Sequence, residues 1–172
     1  MWVKDYMFSQ VHTVNPETSI FDAVNKMVED RTNSLIVVDE AKKPIGVLSS
    51  YTLTRAVVPA YLKDDPIFSN FGAEGTFDKY AEKIKCEEVK KYMHSDIHVL
   101  SVDDAMIEAA AYAIDAGRRI LPVADKDGKL IGAITRTCIK NALFNALHKD
   151  CKIDPTNGGY GDCGCGEKKE DK

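Results

Sequence analysis

The sequence lacks an excess of basic charge and any long apolar run. Its 172 residues carry 23 Lys and Arg against 27 Asp and Glu, a net charge of −4. Proteins that track a phosphate backbone carry a basic surface, so no nucleic acid partner is expected. No apolar run is long enough to cross a bilayer, and the start of the chain, with Lys4 and Asp5, does not resemble a secretory signal. We therefore expect a cytoplasmic protein with no membrane partner.

The five cysteines lack the pattern of a disulfide framework. Their number is odd, and Cys151, Cys163 and Cys165 crowd the C-terminal end. Together with His148, these three thiols could supply the four ligands of a zinc site. The second pair is spaced C-x-C rather than C-x-x-C, which favours a flexible tail with unconnected thiols. No metal site is therefore predicted.

What the sequence does contain is a tandem repeat. Residues 3–58 align with residues 89–144 at a constant offset of 86, without a gap. Identical pairs include Val3/Val89, Lys4/Lys90, Tyr6/Tyr92, Met7/Met93, His12/His98, Ala23/Ala109, Leu35/Leu121, Asp39/Asp125 and Gly46/Gly132. IGVLSSYTL (45–53) and IGAITRTCI (131–139) repeat the same order of glycine, apolar and hydroxyl residues. A match of this length indicates two copies of one structural unit.

Each copy predicts the order strand, helix, strand, strand, helix. The first helix of each copy carries an apolar stripe at helical spacing, and both stripes are predicted to lie in the core. The stripes are Ile20, Ala23, Val24, Met27 and Val28 in the first copy, and Met106, Ala109, Ala110, Ala113 and Ile114 in the second. Short apolar runs such as SLIVVD and ILPVAD predict strands, and TLTRAVVPAYL and CIKNALFNALHK predict the final helices. Between the copies, TFDKYAEKI predicts a helix capped by Thr76.

This order of elements, written twice, resembles the cystathionine-beta-synthase (CBS) domain, a pair of which forms a Bateman module. The stretches LIVVDEAKKPIGVLS and LPVADKDGKLIGAIT carry the resemblance, which extends over residues 1–148. It implies an α/β (α+β) fold in which two βαββα repeats pack about a pseudo-two-fold axis. The expected organisation is a first CBS domain at 1–58, a helical linker at 59–88, a second CBS domain at 89–148 and a flexible tail rich in Gly, Cys and charge at 149–172.

The resemblance also implies a function. Pairs of CBS domains commonly bind adenosine-containing ligands (AMP, ADP, ATP and sometimes S-adenosylmethionine) in clefts between the two domains, and they often assemble as dimers. The sequence shows no Ser-His-Asp, HExxH or GxxxxGK[ST] arrangement, so an enzyme is not expected. A homodimeric adenine-nucleotide sensor that acts through an unidentified partner protein is therefore predicted. The alternative is a ligand-free scaffold or protein-interaction module.

The resemblance implies two clefts, each formed by the entry segment of one domain with the late strand and the start of the last helix of the other. The first cleft would use Met7, Gln10, Val11, His12, Arg119, Thr135, Arg136, Thr137 and Cys138. The second cleft would use Asn33, Ser49, Tyr51, Thr52, Met93, Asp96, Ile97 and His98. The first is favoured because Arg118, Arg119 and Arg136 were assigned to it, and guanidinium groups suit phosphate oxygens.

Two features of these clefts leave alternatives open. Where the family has an aspartate that binds ribose, this sequence has Thr52 and Cys138, which are poorer acceptors for a pair of hydroxyls. His12 and His98 occupy the same repeat position, so they are either a pair of ligand contacts or structural residues of the extended segment. The structural interpretation of the histidines is favoured.

Overall fold

The computed structural model describes residues 1–59, 75–115 and 119–149. The first repeat contains β1 (Thr13–Val14), α1 (Ile20–Glu29), β2 (Ser34–Val38), β3 (Pro44–Ser49) and α2 (Ser50–Val57). Helix α3 (Thr76–Ile84) follows. The second repeat contains β4 (Leu100–Ser101), α4 (Met106–Asp115), β5 (Ile120–Ala124), β6 (Leu130–Thr135) and α5 (Arg136–Leu147). The predicted order, βαββα written twice, is confirmed.

Each repeat forms its own three-stranded sheet, and the two sheets share one topology. Strand β1 pairs in parallel with β2, which pairs antiparallel with β3, and β4, β5 and β6 do the same. Leu35 lies opposite Leu48, and the equivalent Leu121 lies opposite Ile134. A register shift interrupts both antiparallel pairs at the same repeat position. The repetition seen in the sequence therefore extends to the strand register.

The segments that open the two repeats are exchanged between the halves. We call residues 1–12 and 87–98 the lead-in segments. The first lead-in joins the edge of β6, where Phe8 and Ala133 exchange two backbone hydrogen bonds of 3.1 and 3.0 Å. The second joins the edge of β3 through the equivalent pair, His94 and Val47, with both distances at 2.9 Å. Each half is therefore completed by the lead-in segment of the other repeat.

The exchange extends into the two main cores. Val3, from the first lead-in, is fully buried with Leu121 in the core of the second half. Val89, from the second lead-in, is fully buried with Leu35 in the core of the first half. A third apolar cluster, which contains Ile36, joins the two sheets. Because burial of apolar surface dominates folding free energy, the halves are expected to depend on each other for stability.

Glycine is required where the lead-in segments cross the sheets. A Cβ at Gly132 would lie 2.9 Å from the carbonyl oxygen of Phe8. A Cβ at Gly46 would lie 2.7 Å from the sulfur of Met93 and 3.0 Å from the carbonyl oxygen of His94. These separations are shorter than carbon–oxygen or carbon–sulfur contact allows, so the repeated Ile-Gly pair is explained by close approach of two backbones.

The helices bury less of each apolar stripe than the spacing predicted. In α1, Ile20 and Ala23 are buried, whereas Val28 is 72% exposed. In α4, Ala109 is buried, whereas Ile114 is 81% exposed. The part of each stripe that faces away from the sheet is therefore left on the surface of the described chain.

Other predicted boundaries need correction or lie outside the described residues. Helix α2 ends at Val57, two residues before Pro59, which cannot donate a backbone hydrogen bond. Helix α3 has the predicted bounds, but its N-cap is Gly75, at φ 76°, and not Thr76. Residues 60–74, Arg118 and the tail from residue 150, including three of the proposed zinc ligands, lie outside the description. In the described residues, no helix is long and apolar enough to cross a membrane.

Candidate functional site

A cleft of about 500 Å³ opens between the two halves, and we call it the arginine cleft. The first repeat contributes Ser34, Val47, Ser49, Tyr51 and Thr52 to its lining. The second lead-in contributes His94, Asp96, Ile97 and His98. The second repeat contributes Arg119, Ile120, Leu121, Pro122 and Arg136. Basic, hydroxyl and apolar side chains therefore meet in one concavity, which is the usual character of a small-molecule site.

The hydroxyl side of the arginine cleft is built by the start of α2. Ser49 is the N-cap of this helix, and its Oγ accepts a 3.2 Å hydrogen bond from the backbone N–H of Thr52. The same Oγ lies 2.9 Å from Thr52 Oγ1. Tyr51, between them, is 61% exposed. Two hydroxyl groups are thus held at the amino-terminal end of a helix, where the backbone favours negative charge.

The second lead-in supplies three polar side chains at alternate positions. His94, Asp96 and His98 lie at alternate positions of the chain, and all three line the arginine cleft. The ring of His98 stacks on that of Tyr112, with centroids 3.4 Å apart and an angle of 19° between the planes. The sequence prediction did not include His94, although its two-residue spacing from Asp96 and His98 could have indicated it.

The arginine side is formed by neighbouring ends of β5 and α5. Ile120 lies opposite Thr135 in the antiparallel pair, so Arg119 before β5 and Arg136 at the start of α5 reach the same end of the sheet. Both arginines are exposed and line the cleft. The lining thus contains two guanidinium groups and two imidazoles against the single carboxylate of Asp96. Such a surface attracts anions.

The grouping of the predicted site residues is corrected at these arginines. They were assigned to the cleft of the first lead-in, whereas they line the cleft of the second, with Ser49, Tyr51, Thr52, Asp96, Ile97 and His98. The reason is geometric. The ends of β5 and α5 that carry Arg119 and Arg136 face across the contact between the two sheets, toward the opposite half. The offset of 86 identifies equivalent residues but does not say which cleft each of them faces.

Other residues predicted for the first cleft are placed in packing roles. Val11 packs on the apolar cluster between the sheets. Met7 packs on the core of the second half, with its sulfur beside Gly132. Cys138 is 7% exposed in the same core, and its sulfur lies 3.3 Å from Thr135 Oγ1. Burial suits a thiol, which behaves as a small apolar group.

The remaining predicted residues lie on the surface or in the other half. Gln10 and Thr137 are exposed. Met93, from the second predicted set, packs on the core of the first half. Asn33 lines a separate apolar groove of about 750 Å³ between α1, α2 and α3, which we call the outer groove. Its position there is explained by its place in the turn between α1 and β2.

His12 contacts the C-terminal end of α1. Its Nδ1 lies 2.8 Å from Asp30 Oδ2, and Lys26 Nζ lies 3.1 Å from the same oxygen. The Lys26 ammonium, followed by His12, holds the pKa of Asp30 below its ordinary value, against the partial burial that would raise it. Asp30 is the C-cap of α1, where a carboxylate is unfavourable next to the helix carbonyls, and the Lys26 ammonium offsets that effect.

Comparison with known proteins identifies the family. Residues 3–59 and 89–145 each match the CBS domain. The chain therefore belongs to the CBS domain family, as a tandem pair, and the predicted fold is confirmed by solved CBS pairs. In the described residues, no group of three or more histidine, cysteine, aspartate or glutamate side chains is placed to hold a metal ion.

Three similar proteins or structures are informative. The chloroplastic CBS domain-containing protein CBSX1 of Arabidopsis thaliana is 30% identical over 143 residues, which are 78% of this chain and 59% of that protein. The crystal structure of Arabidopsis CBSX2 has a TM-score of 0.69 at 28% identity, over 84% of this chain and 95% of that one. CBSX2 in complex with AMP has a TM-score of 0.63 at 28% identity, over 84% and 97%. The chain thus spans about three fifths of the length of its curated plant relative.

Proposed function

We propose that this chain is a regulatory module that binds a phosphate-bearing adenosine ligand, AMP, ADP or ATP, in the arginine cleft. The observation that carries the proposal is the meeting of Arg119 and Arg136 with the hydroxyl groups of Ser49 and Thr52 in one concavity. Similarity to CBSX2, which has been solved in complex with AMP, supports the adenosine part of the ligand.

The chemistry of the lining divides into three parts. The guanidinium groups of Arg119 and Arg136 offer forked donors that match phosphate oxygens. The half-buried side chains of Val47, Ile97 and Ile120 offer apolar surface suited to a purine ring. The hydroxyl groups at the start of α2 are suited to ribose or phosphate oxygens. Together these groups account for each part of a nucleotide.

The output of the module would be a change of state in a partner protein. No catalytic constellation was recognised in the sequence, and pairs of CBS domains generally regulate rather than catalyse. Assembly as a homodimer is part of the proposal. It is supported by the exposed apolar side chains on the outer faces of the helices, which are Phe21, Val28, Ile107, Ile114, Leu143 and Leu147. A cytoplasmic location stays a prediction, since the name of the plant relative places that protein in the chloroplast.

Binding is tested by calorimetry with adenosine, AMP and ATP on protein shown by mass spectrometry to be free of carried-over nucleotide. We expect affinity to rise from adenosine to AMP, because the added phosphate can accept charge-assisted hydrogen bonds, each worth about 1.5–3 kcal/mol. A thermal-shift series gives an independent readout, since a ligand that binds only the native state raises its melting temperature. Absence of heat and of any thermal shift with all three compounds would contradict the proposal.

That negative result would favour the second candidate, a ligand-free scaffold. One observation supports it. At the two positions where the family's ribose-binding aspartate stands, Cys138 is buried in the core and Thr52 is bonded to Ser49. Neither position therefore presents a carboxylate. Light scattering of the purified chain tests the assembly separately, because a mass of 19.0 kDa would contradict the homodimer under either function.

A further inference from the structure

The two lead-in segments carry different side chains at one equivalent position. Phe8 and His94 are 86 residues apart, and each exchanges two backbone hydrogen bonds with equivalent residues of the opposite sheet. The side chain of His94 is exposed and lines the arginine cleft. The side chain of Phe8 is half-buried and packs on the apolar cluster that contains Ile36 and Ala133. At this repeat position, the side chain of His94 therefore borders an open cleft, whereas the ring of Phe8 packs into an apolar cluster.

The same contrast recurs at two further equivalent pairs. His98 stacks on Tyr112 and lines the arginine cleft, whereas His12 contacts Asp30 at 2.8 Å and does not line that cleft. Thr52 lines the arginine cleft, whereas Cys138 is buried in the core of the second half. On the side of the first lead-in, the equivalents of three cleft-lining residues are thus occupied by internal contacts.

The distribution of charge follows the same division. Arg119 and Arg136 line the arginine cleft, and their equivalents are Asn33 and Ser50. These two polar residues line the outer groove instead. Neither of them carries a charge, so the positive pair that would hold a phosphate belongs to one cleft alone.

We infer that the chain binds one ligand and not two, because Phe8 closes the position that His94 leaves open. The inference depends on the proposed function, since it assigns the ligand to the arginine cleft. It makes Phe8 and His94 the residues that decide which side of the pseudo-symmetric module is used. The two-fold repetition of the backbone therefore does not produce a two-fold repetition of sites.

The primary test is the stoichiometry of AMP binding to the full chain, measured by calorimetry and by equilibrium dialysis with protein concentration from amino-acid analysis. We expect one AMP per chain. Two equivalent or successive AMP molecules per chain would overturn the inference and leave the proposed function intact. No binding of AMP, ATP or adenosine would overturn the proposed function and the inference with it.

A matched pair of substitutions tests the role of the lead-in residues. His94→Phe places the residue of the first lead-in into the arginine cleft and should weaken AMP binding at least about tenfold, which corresponds to about 1.4 kcal/mol. Phe8→His should leave the affinity of the existing site unchanged, since Phe8 lies outside the arginine cleft. Circular dichroism and the melting temperature establish that each variant is folded. Wild-type affinity in folded His94→Phe, or lost binding in folded Phe8→His, would contradict the inference. If Phe8→His does not fold, the wild-type stoichiometry and the His94→Phe result still decide the question.

Discussion

The two halves of this module share a backbone and differ in the side chains that face their clefts. Strand order, register and the register shift recur in both sheets. Gly46 and Gly132 occupy equivalent positions, where a lead-in segment passes close to a strand. By contrast, the half that receives the second lead-in presents His94 and Thr52 to an open cleft, where the other has Phe8 and Cys138 in apolar packing. Packing demands have therefore preserved the repeat at positions that hold the fold, while the positions around the clefts have diverged.

The largest effect should come from the cores, where the two halves are alike. Leu35 and Leu121 are equivalent, and both are almost completely buried. Leu35→Ala and Leu121→Ala should each lower the free energy of unfolding by about 2–5 kcal/mol, because each leaves a cavity in a close-packed core. Urea denaturation followed by circular dichroism measures both.

Because the lead-in segments are exchanged, each variant should also unfold in a single transition. Two resolved transitions in either variant, or a negligible loss in one of them, would show that the halves are less alike or less dependent on each other than their cores indicate.

The next effect should separate the two halves. Arg119→Ala and Arg136→Ala should each weaken AMP binding by about 1.5–3 kcal/mol, the range for a hydrogen bond to a charged group. The equivalent substitutions, Asn33→Ala and Ser50→Ala, should leave the affinity unchanged, because these residues line the outer groove. Calorimetry on all four proteins makes the comparison. Equal losses in both pairs would mean that charge does not distinguish the clefts.

A smaller effect is expected at the crossings of the lead-in segments. Gly46→Ala and Gly132→Ala should each destabilise the fold by about 1–3 kcal/mol, the range for overpacking, because the added methyl meets backbone oxygen. Only Gly46→Ala should also weaken AMP binding, since it displaces His94 beside the arginine cleft. Melting temperatures and AMP titrations of both variants measure the two effects. A stabilised variant would contradict the close approach of the two backbones. Equal AMP affinity in the two variants would show that the crossing at Gly46 does not affect the arginine cleft.

The smallest effect concerns the carboxylate that holds His12. Since the pKa of Asp30 is lowered in the fold, its ionised form stabilises the native state above the ordinary value of 3.8. That contribution is lost as the pH falls through the lowered pKa. Asp30→Asn should therefore lower the melting temperature at neutral pH, and the difference from wild type should shrink in acid. Glu40→Gln, which removes the charge of an exposed carboxylate, is the control. A difference that is independent of pH would exclude the ionised carboxylate as the cause.

The fold could be predicted from the sequence because the signals for it are either local patterns or the internal repeat. The ungapped offset gave the two units, helical spacing gave α1 and α4, and the bounds of α3 were predicted correctly. Strand β1 is limited to Thr13–Val14, and the lead-in before it pairs at Phe8 with Ala133 in the other half. Local patterns do not report which distant strand a segment will join.

The site was predicted less completely than the fold. Six residues of the second predicted set line the arginine cleft, since hydroxyl residues at a helix start and alternating polar residues are local signals. Which half Arg119 and Arg136 face depends on how the two sheets pack, and no single segment encodes that. The burial of Cys138 likewise depends on distant core residues. The whole apolar stripe of α1 and of α4 was predicted to be core, but part of each stripe is exposed. The spacing of apolar residues defines a stripe on a helix but does not show how much of it other elements cover.

The exchange of the lead-in segments has a consequence for the ancestry of this architecture. A single repeat, made alone, would carry a lead-in that fits only the sheet of another copy, as Val3 fits beside Leu121 and Val89 beside Leu35. The ancestral unit is therefore expected to have been a pair of identical chains that traded these segments. Duplication and fusion of the gene would make this exchange intramolecular. Once both copies lay in one gene, position 8 and position 94 could mutate separately, and symmetry was no longer enforced on the two sides of the molecule.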